Sequence, residues 1–172
     1  MFQTTHPELG FRRIVKPWNG YYHWKILFNG TDIKKLGLTK HRQKNVALIF
    51  QNFNLLNYMS AVENVMTAME ISKSCKHDRK KQALNLLADL CLTEDEGCRN
   101  VMELSCGQQQ RVTIARALVT DADVILADEP TGNLDSKTSG EIIEILKELA
   151  HKYNKGVIVV SHSIDYCKNG MI

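Results

Sequence analysis

Three short runs in this chain are apolar from end to end: Val46-Ala-Leu-Ile-Phe50, Val124-Ile-Leu-Ala127 and Val157-Ile-Val-Val160. Such runs, without alternation, predict strands covered on both faces, as in a parallel sheet. Between them the apolar period lengthens to that of a helix. Ser60-Ala-Val-Glu63 is a capping box, and Val62, Val65, Met66 and Met69 follow along one face. Ala83, Leu84, Leu87, Leu90 and Cys91 form a second stripe, and Ile142, Ile145, Leu146 and Leu149 a third, after Asp135 and Ser136. Strands alternating with helices predict an α/β fold with a parallel sheet, over residues 25–57 and 112–172. Residues 58–111 carry helices with no strand between them and read as an inserted helical subdomain. Residues 1–24 stay unassigned, with only a helical hint at Phe11 to Val15.

With 172 residues, 44% apolar and 24% charged, the chain has the size and composition of one globular domain. No apolar run approaches the roughly 20 residues of a membrane-spanning helix. Residues 1–24 lack the apolar core of a secretory signal, so a cytoplasmic location is expected. Five cysteines, an odd number with none at two-residue spacing, predict free buried thiols rather than a zinc or disulfide framework. A net charge of +3, with the signs mixed, predicts no nucleic-acid partner.

Candidate chemistry begins where Val124 to Ala127 runs into Asp128-Glu129-Pro130. Parallel sheets take ligands at the carboxyl ends of their strands. An aspartate there can hold magnesium, and an adjacent glutamate can polarise a water for attack on phosphorus. Twenty residues earlier, Leu104-Ser-Cys-Gly-Gln-Gln-Gln-Arg-Val112 leads into a helix with Ile114, Ala115 and Leu118 on its apolar side. Ser105 and Gly107 stand at the entrance, where free amides and a close backbone approach suit an anion. Standing alone, the segment is better read as a plain N-cap.

Taken together, LSCGQQQRVTIARAL, VILADEPTGNLD, IFQNFNLL and VVSHS resemble the ABC transporter ATPases in order and spacing, over about residues 25–165. The resemblance implies a P-loop NTPase-like parallel sheet with a helical subdomain. It also implies ATP and Mg2+ bound between two ATPase subunits, as a homo- or heterodimer. Transmembrane permease subunits would hold the chain at the inner face of the plasma membrane. By position, Ser105, Gly107 and Gln108 match the signature, Asp128 the magnesium ligand and Glu129 the catalytic base. Gln51 matches the loop that senses magnesium and touches the membrane subunit. Asp135 matches the loop that communicates across the dimer, and His162 the switch histidine at the terminal phosphate. The triple glutamine, DEPTGNLD and SAVENV look like the group that exports antimicrobial peptides and macrolides or releases lipoproteins. Cys106 departs from the usual second glycine of the signature.

No segment matches the phosphate loop Gly-x-x-x-x-Gly-Lys-Ser/Thr. By resemblance that loop and its strand belong upstream of residue 16, which makes Tyr21 to Trp24 look like an insertion. The family continues beyond His162 with further strands and a helix. The expectation is therefore a cassette truncated at both ends, inactive or nearly so by itself. The alternatives are a degenerate partner lending its signature in trans, or a decayed fragment. A DNA-repair or translation ATPase would need long coiled coils or a second cassette, and the sequence has neither. In the family, Val157 to Val160 would be a central strand. Without the phosphate-loop strand one edge would be bare, open to association or covered by residues 1–16.

Overall fold

The computed structural model describes residues 12–18, 21–28, 30–37, 39, 45–74, 77–153 and 155–161. Among the described residues there are two sheets. The first is antiparallel, in the order β1 (Arg12–Trp18), β2 (Tyr21–Phe28), β3 (Thr31–Asp32), followed by the short helix α1 (Ile33–Leu36). The helical hint at Phe11 to Val15 is overturned, because Arg12 onward forms a strand whose Ile14 pairs with Lys25 and Trp18 with Tyr21. Ile14, Val15 and Trp18 favour a pleated surface, and a partner strand nearby decides the matter. Tyr21 to Trp24 complete that hairpin, pairing with Val15 to Trp18.

The second sheet is parallel, in the order β4 (Val46–Phe50), β5 (Val124–Asp128), β6 (Gly156–Val160). Between β4 and β5 the chain makes α2 (Ala61–Ser72), α3 (Arg79–Asp89), α4 (Glu94–Cys98), a 3-10 turn (Val101–Glu103) and α5 (Cys106–Leu118). Between β5 and β6 it makes α6 (Ser136–Lys152). Capping boxes start α2 at Ser60, α4 at Thr93 and α5 at Ser105, so the orphan amides of three helix starts are met locally. No helix among the described residues is long and apolar enough to cross a membrane.

Both crossovers of the parallel sheet advance in the same direction. Right-handed connections of that kind put the helices on one face. Ala47, Ile49, Ile125, Ala127 and Val157 on that face join Ile114, Ile142 and Leu146 in a single core. Ile49, Ile114, Ile125, Ile142 and Leu146 are fully buried, and each such side chain contributes about 1.5–3 kcal/mol. The opposite face differs. Leu48 is 39% exposed, Phe50 36% and Val160 40%, so the expected cover on both faces is absent from the described residues.

Among the described strands β5 lies between β4 and β6, and β6 has the bare edge expected without a phosphate-loop strand. β6 pairs with β5 and has no second partner strand among the described residues. Arg12 to Lys16 are paired with β2, so that part of residues 1–16 does not cover β6; Met1 to Phe11 lie outside the described residues. The cysteines also depart from expectation. Cys91, Cys98 and Cys106 are free but exposed, Cys91 because the chain leaves α3 there with a left-handed φ of 61°. Cys75 and Cys167 lie outside the described residues.

Candidate functional site

β5 delivers Asp128 to the carboxyl end of the sheet, in register with Phe50 on one side and Val160 on the other. The chain then turns sharply. Glu129 takes a φ of 46°, a region that costs a non-glycine residue about 1–3 kcal/mol and persists only where neighbours impose it. Here its amide donates to the Val160 carbonyl at 2.8 Å, and its carbonyl accepts from the Gly132 amide at 3.1 Å. The side chain is thereby aimed at the next strand end, where its Oε2 accepts from the Ser161 hydroxyl at 3.2 Å.

Gln51 follows Phe50 at the end of β4 and reaches the same turn. Its Nε2 donates to Asn133 Oδ1 at 3.4 Å, and its carbonyl accepts from Asn133 Nδ2 at 3.0 Å. The side chain lies over Gly132, where a Cβ would stand 2.7 Å from the Gln51 amide nitrogen; glycine makes the approach possible. Gln51, Asp128 and Glu129 therefore gather at one sheet end. His162, the next residue after Ser161, lies outside the described residues. Asn133 and Ser161 belong to quoted motifs, yet sequence reasoning gave them no part; pairing across 82 and 32 positions leaves no local signal.

No group of three His, Cys, Asp or Glu among the described residues could hold a metal by itself. Asp128 stands at the sheet end in register with Phe50, the residue before Gln51. A lone carboxylate at a strand end is chemically compatible with Mg2+, which is usually bound by one or two carboxylates with waters and substrate phosphates completing its shell.

The second group of predicted residues lies at two helix starts. Ser105 caps α5, its Oγ accepting from the Gln108 amide at 3.3 Å while Gln108 Oε1 accepts from the Ser105 amide at 2.9 Å. Gln108 Nε2 also donates to Glu96 at 2.7 Å, so this side chain is committed to holding α5 against α4. Asp135 caps α6. Its Oδ1 accepts from the amides of Lys137 and Thr138, both at 3.0 Å, and its Oδ2 from the Thr138 hydroxyl at 2.6 Å. That hydroxyl, followed by the amides, holds the Asp135 carboxyl below its ordinary range.

The two helix starts touch. A Cβ on Gly107 would stand 2.5 Å from Thr138 Cγ2, so α5 and α6 approach as closely as glycine permits. Arg111 fastens them one turn on, donating to Glu141 at 2.6 Å and to the Leu90 carbonyl at 2.9 Å. Farther along α5, Thr113 donates to the Phe53 carbonyl at 3.2 Å and Arg116 to the Asn54 carbonyl at 2.6 Å. Asn64 of α2 is buried, and grips Leu56 through its amide at 2.8 Å and its carbonyl at 3.2 Å. The segment after Gln51 is thus tied to α2 and α5, while Gln51 itself is tied to the carboxylate turn.

Comparison with known proteins identifies the family. The profile of the family described as ABC transporter matches residues 16–132. The uncharacterized ABC transporter ATP-binding protein YclH of Bacillus subtilis is 47% identical over 143 residues, covering 83% of this chain and 63% of YclH. The macrolide export ATP-binding/permease protein MacB of Burkholderia thailandensis is 46% identical over 132 residues, covering 77% of this chain and 20% of MacB. Among solved structures, a dimeric post-hydrolysis state of the ATP-binding cassette MJ0796, of Methanocaldococcus jannaschii, bound to ADP and Pi, superposes with a TM-score of 0.69 at 37% identity. The match covers 83% of this chain and 64% of that one, so the chain spans just under two thirds of the cassettes it resembles.

Proposed function

The chain belongs to the ABC transporter ATP-binding family, and from that premise we propose that it is the nucleotide-binding subunit of an exporter. It would act as one of two ATPase subunits, on the inner face of the plasma membrane beneath transmembrane permease subunits. MgATP supplies the phosphoryl group whose transfer to water drives such a cycle. In this reading Asp128, with Gln51, holds the magnesium ion. Glu129 is the general base, and the Ser161 hydroxyl keeps its carboxylate turned toward the strand ends. His162 would contact the terminal phosphate. The observation that carries the reading is the convergence of Gln51, Asp128 and Glu129 on one turn, locked by Asn133 and Ser161.

The start of α5 plays the other half of the interface. Ser105 is exposed at the N-terminus of a 13-residue helix, and that end suits a phosphate held by the second subunit, while Gly107 seats the helix start against Thr138. Asp135, beside it through Thr138, links this surface to the carboxylate turn. Because the sequence contains no Gly-x-x-x-x-Gly-Lys-Ser/Thr, the chain alone is expected to bind MgATP far more weakly than an intact relative and to turn over little or none. Its contribution is then the signature surface, offered in trans to an intact partner. ATP turnover of the chain, of an intact homologous cassette, and of the two mixed tests this. Turnover by the chain alone overturns the in-trans reading. A mixture no more active than the homologue alone supports a decayed, inactive product instead, a reading to which Cys106 at the signature lends weight.

A further inference from the structure

Three helices open on capping boxes, and two of those boxes are joined. At α2 the box closes on itself: Glu63 Oε2 accepts from the Ser60 amide at 2.8 Å and from the Ser60 hydroxyl at 2.7 Å, which uses up the hydroxyl proton. At α5 the corresponding residue is Gln108. Its Oε1 accepts from the Ser105 amide at 2.9 Å, and the Ser105 hydroxyl, which accepts from the Gln108 amide at 3.3 Å, donates to nothing among the described residues. The other end of Gln108 is taken by α4. Glu96 Oε1 accepts from Gln108 Nε2 at 2.7 Å, while Glu96 Oε2 accepts from the Thr93 amide at 2.8 Å in its own box. The Thr93 amide foremost, and Gln108 least, hold the Glu96 carboxyl below its ordinary range.

The polarity of this run of bonds is fixed from end to end. The Thr93 and Ser105 amides only donate, so Glu96 accepts on both oxygens, and Gln108 turns its NH2 to Glu96 and its oxygen to Ser105. We propose that Glu96 is a positioning residue for the signature surface: by holding Gln108 Nε2 it leaves the Ser105 hydroxyl free to donate to a phosphate oxygen of the nucleotide in the second subunit. Released from Glu96, Gln108 is free to accept both Ser105 protons, as Glu63 accepts those of Ser60, and the surface loses an outward donor. Glu96 lies on α4 and acts only through Gln108. The inference rests on the in-trans reading given above.

The test mixes the full 172-residue chain with an intact homologous cassette and compares Glu96→Ala with Glu94→Ala, which removes an exposed carboxylate from the same turn of α4. Glu96→Ala should lower turnover in trans about tenfold at saturating MgATP, the scale of a misplaced contact group, with KM moving less than about twofold because the homologue's own loop holds the nucleotide. Glu94→Ala should leave both unchanged. In a Ser105→Gly background, which removes the hydroxyl at little cost to the helix start, Glu96→Ala should lower turnover no further. Should Glu96→Ala fail to fold, Glu96→Asp keeps the charge at the start of α4, falls a methylene short of Gln108 and makes the same distinction. Turnover equal to that of Glu94→Ala, or losses that multiply across the two backgrounds, would overturn the proposal. If the unaltered chain does not stimulate the homologue, the in-trans reading falls, and exchange of the Gln108 side-chain amide with water, followed by NMR on the chain alone, decides the positioning. Glu96→Ala should speed that exchange about tenfold, and an unchanged rate overturns it.

Discussion

Gly107→Ala places a methyl group where Thr138 Cγ2 already stands, 2.5 Å away. Thr138 escapes only by rotating, which takes its hydroxyl off Asp135, or by α5 lifting from α6. Overpacking of this kind costs about 1–3 kcal/mol. Against it stands the helix preference of alanine over glycine, at most about 1 kcal/mol and less in a first turn. The clash therefore wins, with a net loss of about 1–2 kcal/mol. At a urea slope near 2 kcal/mol per molar, the unfolding midpoint should fall by about 0.5–1 M. The informative comparison is the same change in a Thr138→Ser background. Serine keeps the hydroxyl for Asp135 and removes Cγ2, after which the nearest Thr138 atom is its Cβ at 3.8 Å, an ordinary contact. There Gly107→Ala should be neutral or slightly stabilising, which reverses the sign. A double-mutant cycle by urea unfolding checks this, with a coupling of about 1–2 kcal/mol expected. An equal cost in both backgrounds would refute the close packing of the two helix starts.

Asn64→Ala removes three hydrogen bonds to Leu56 and Ser60 from a buried site, and should cost about 3 kcal/mol in urea unfolding; a loss below 1 kcal/mol would show that water replaces them. Arg111→Met strands the Leu90 carbonyl and breaks the pair with Glu141, and should destabilise by about 1–3 kcal/mol. Glu141→Gln, at a half-exposed partner, should cost less than about 1 kcal/mol, and equal costs would contradict this asymmetry. The Asp135 carboxyl titrates below its reference value of 3.8, so its stabilising effect is present above the unfolded value and lost as pH falls through the folded one. A carboxyl-carbon NMR titration with a midpoint at or above that reference would disprove the cap, and Asp135→Asn should remove that part of the acid sensitivity.

Much of this was legible in local pattern. The capping box at Ser60, the stripe of α6 and the carboxylates at the end of β5 are each signalled within one or two turns of chain, and each sits where that signal put it. The hairpin of β1 and β2 was missed although Asn19-Gly20 stands between two runs of β-branched and aromatic residues, a strong hairpin signal. Exposure of one sheet face was not legible, because Leu48 and Ile49 read alike in sequence and only topology separates them. The grip of Asn133 on Gln51 and of Ser161 on Glu129 was likewise hidden, being contacts between strand ends. Thr138 gave no sign at all, since its importance comes from what Gly107 lacks.

α5 acts as a ruler. Its first turn is set by Ser105 and by the fit of Gly107 to Thr138, while Thr113 and Arg116, two turns on, are set by Phe53 and Asn54. Each residue of an α-helix advances the azimuth by about 100°. A single insertion between Gly107 and Thr113 would swing both distal donors away from their carbonyls at once, whichever residue was inserted. Side chains along this helix can therefore change one at a time at a cost graded by contact, but its length cannot change by one. Sequence drift should accumulate as substitutions here and as insertions elsewhere, for instance in the solvated turn between α2 and α3.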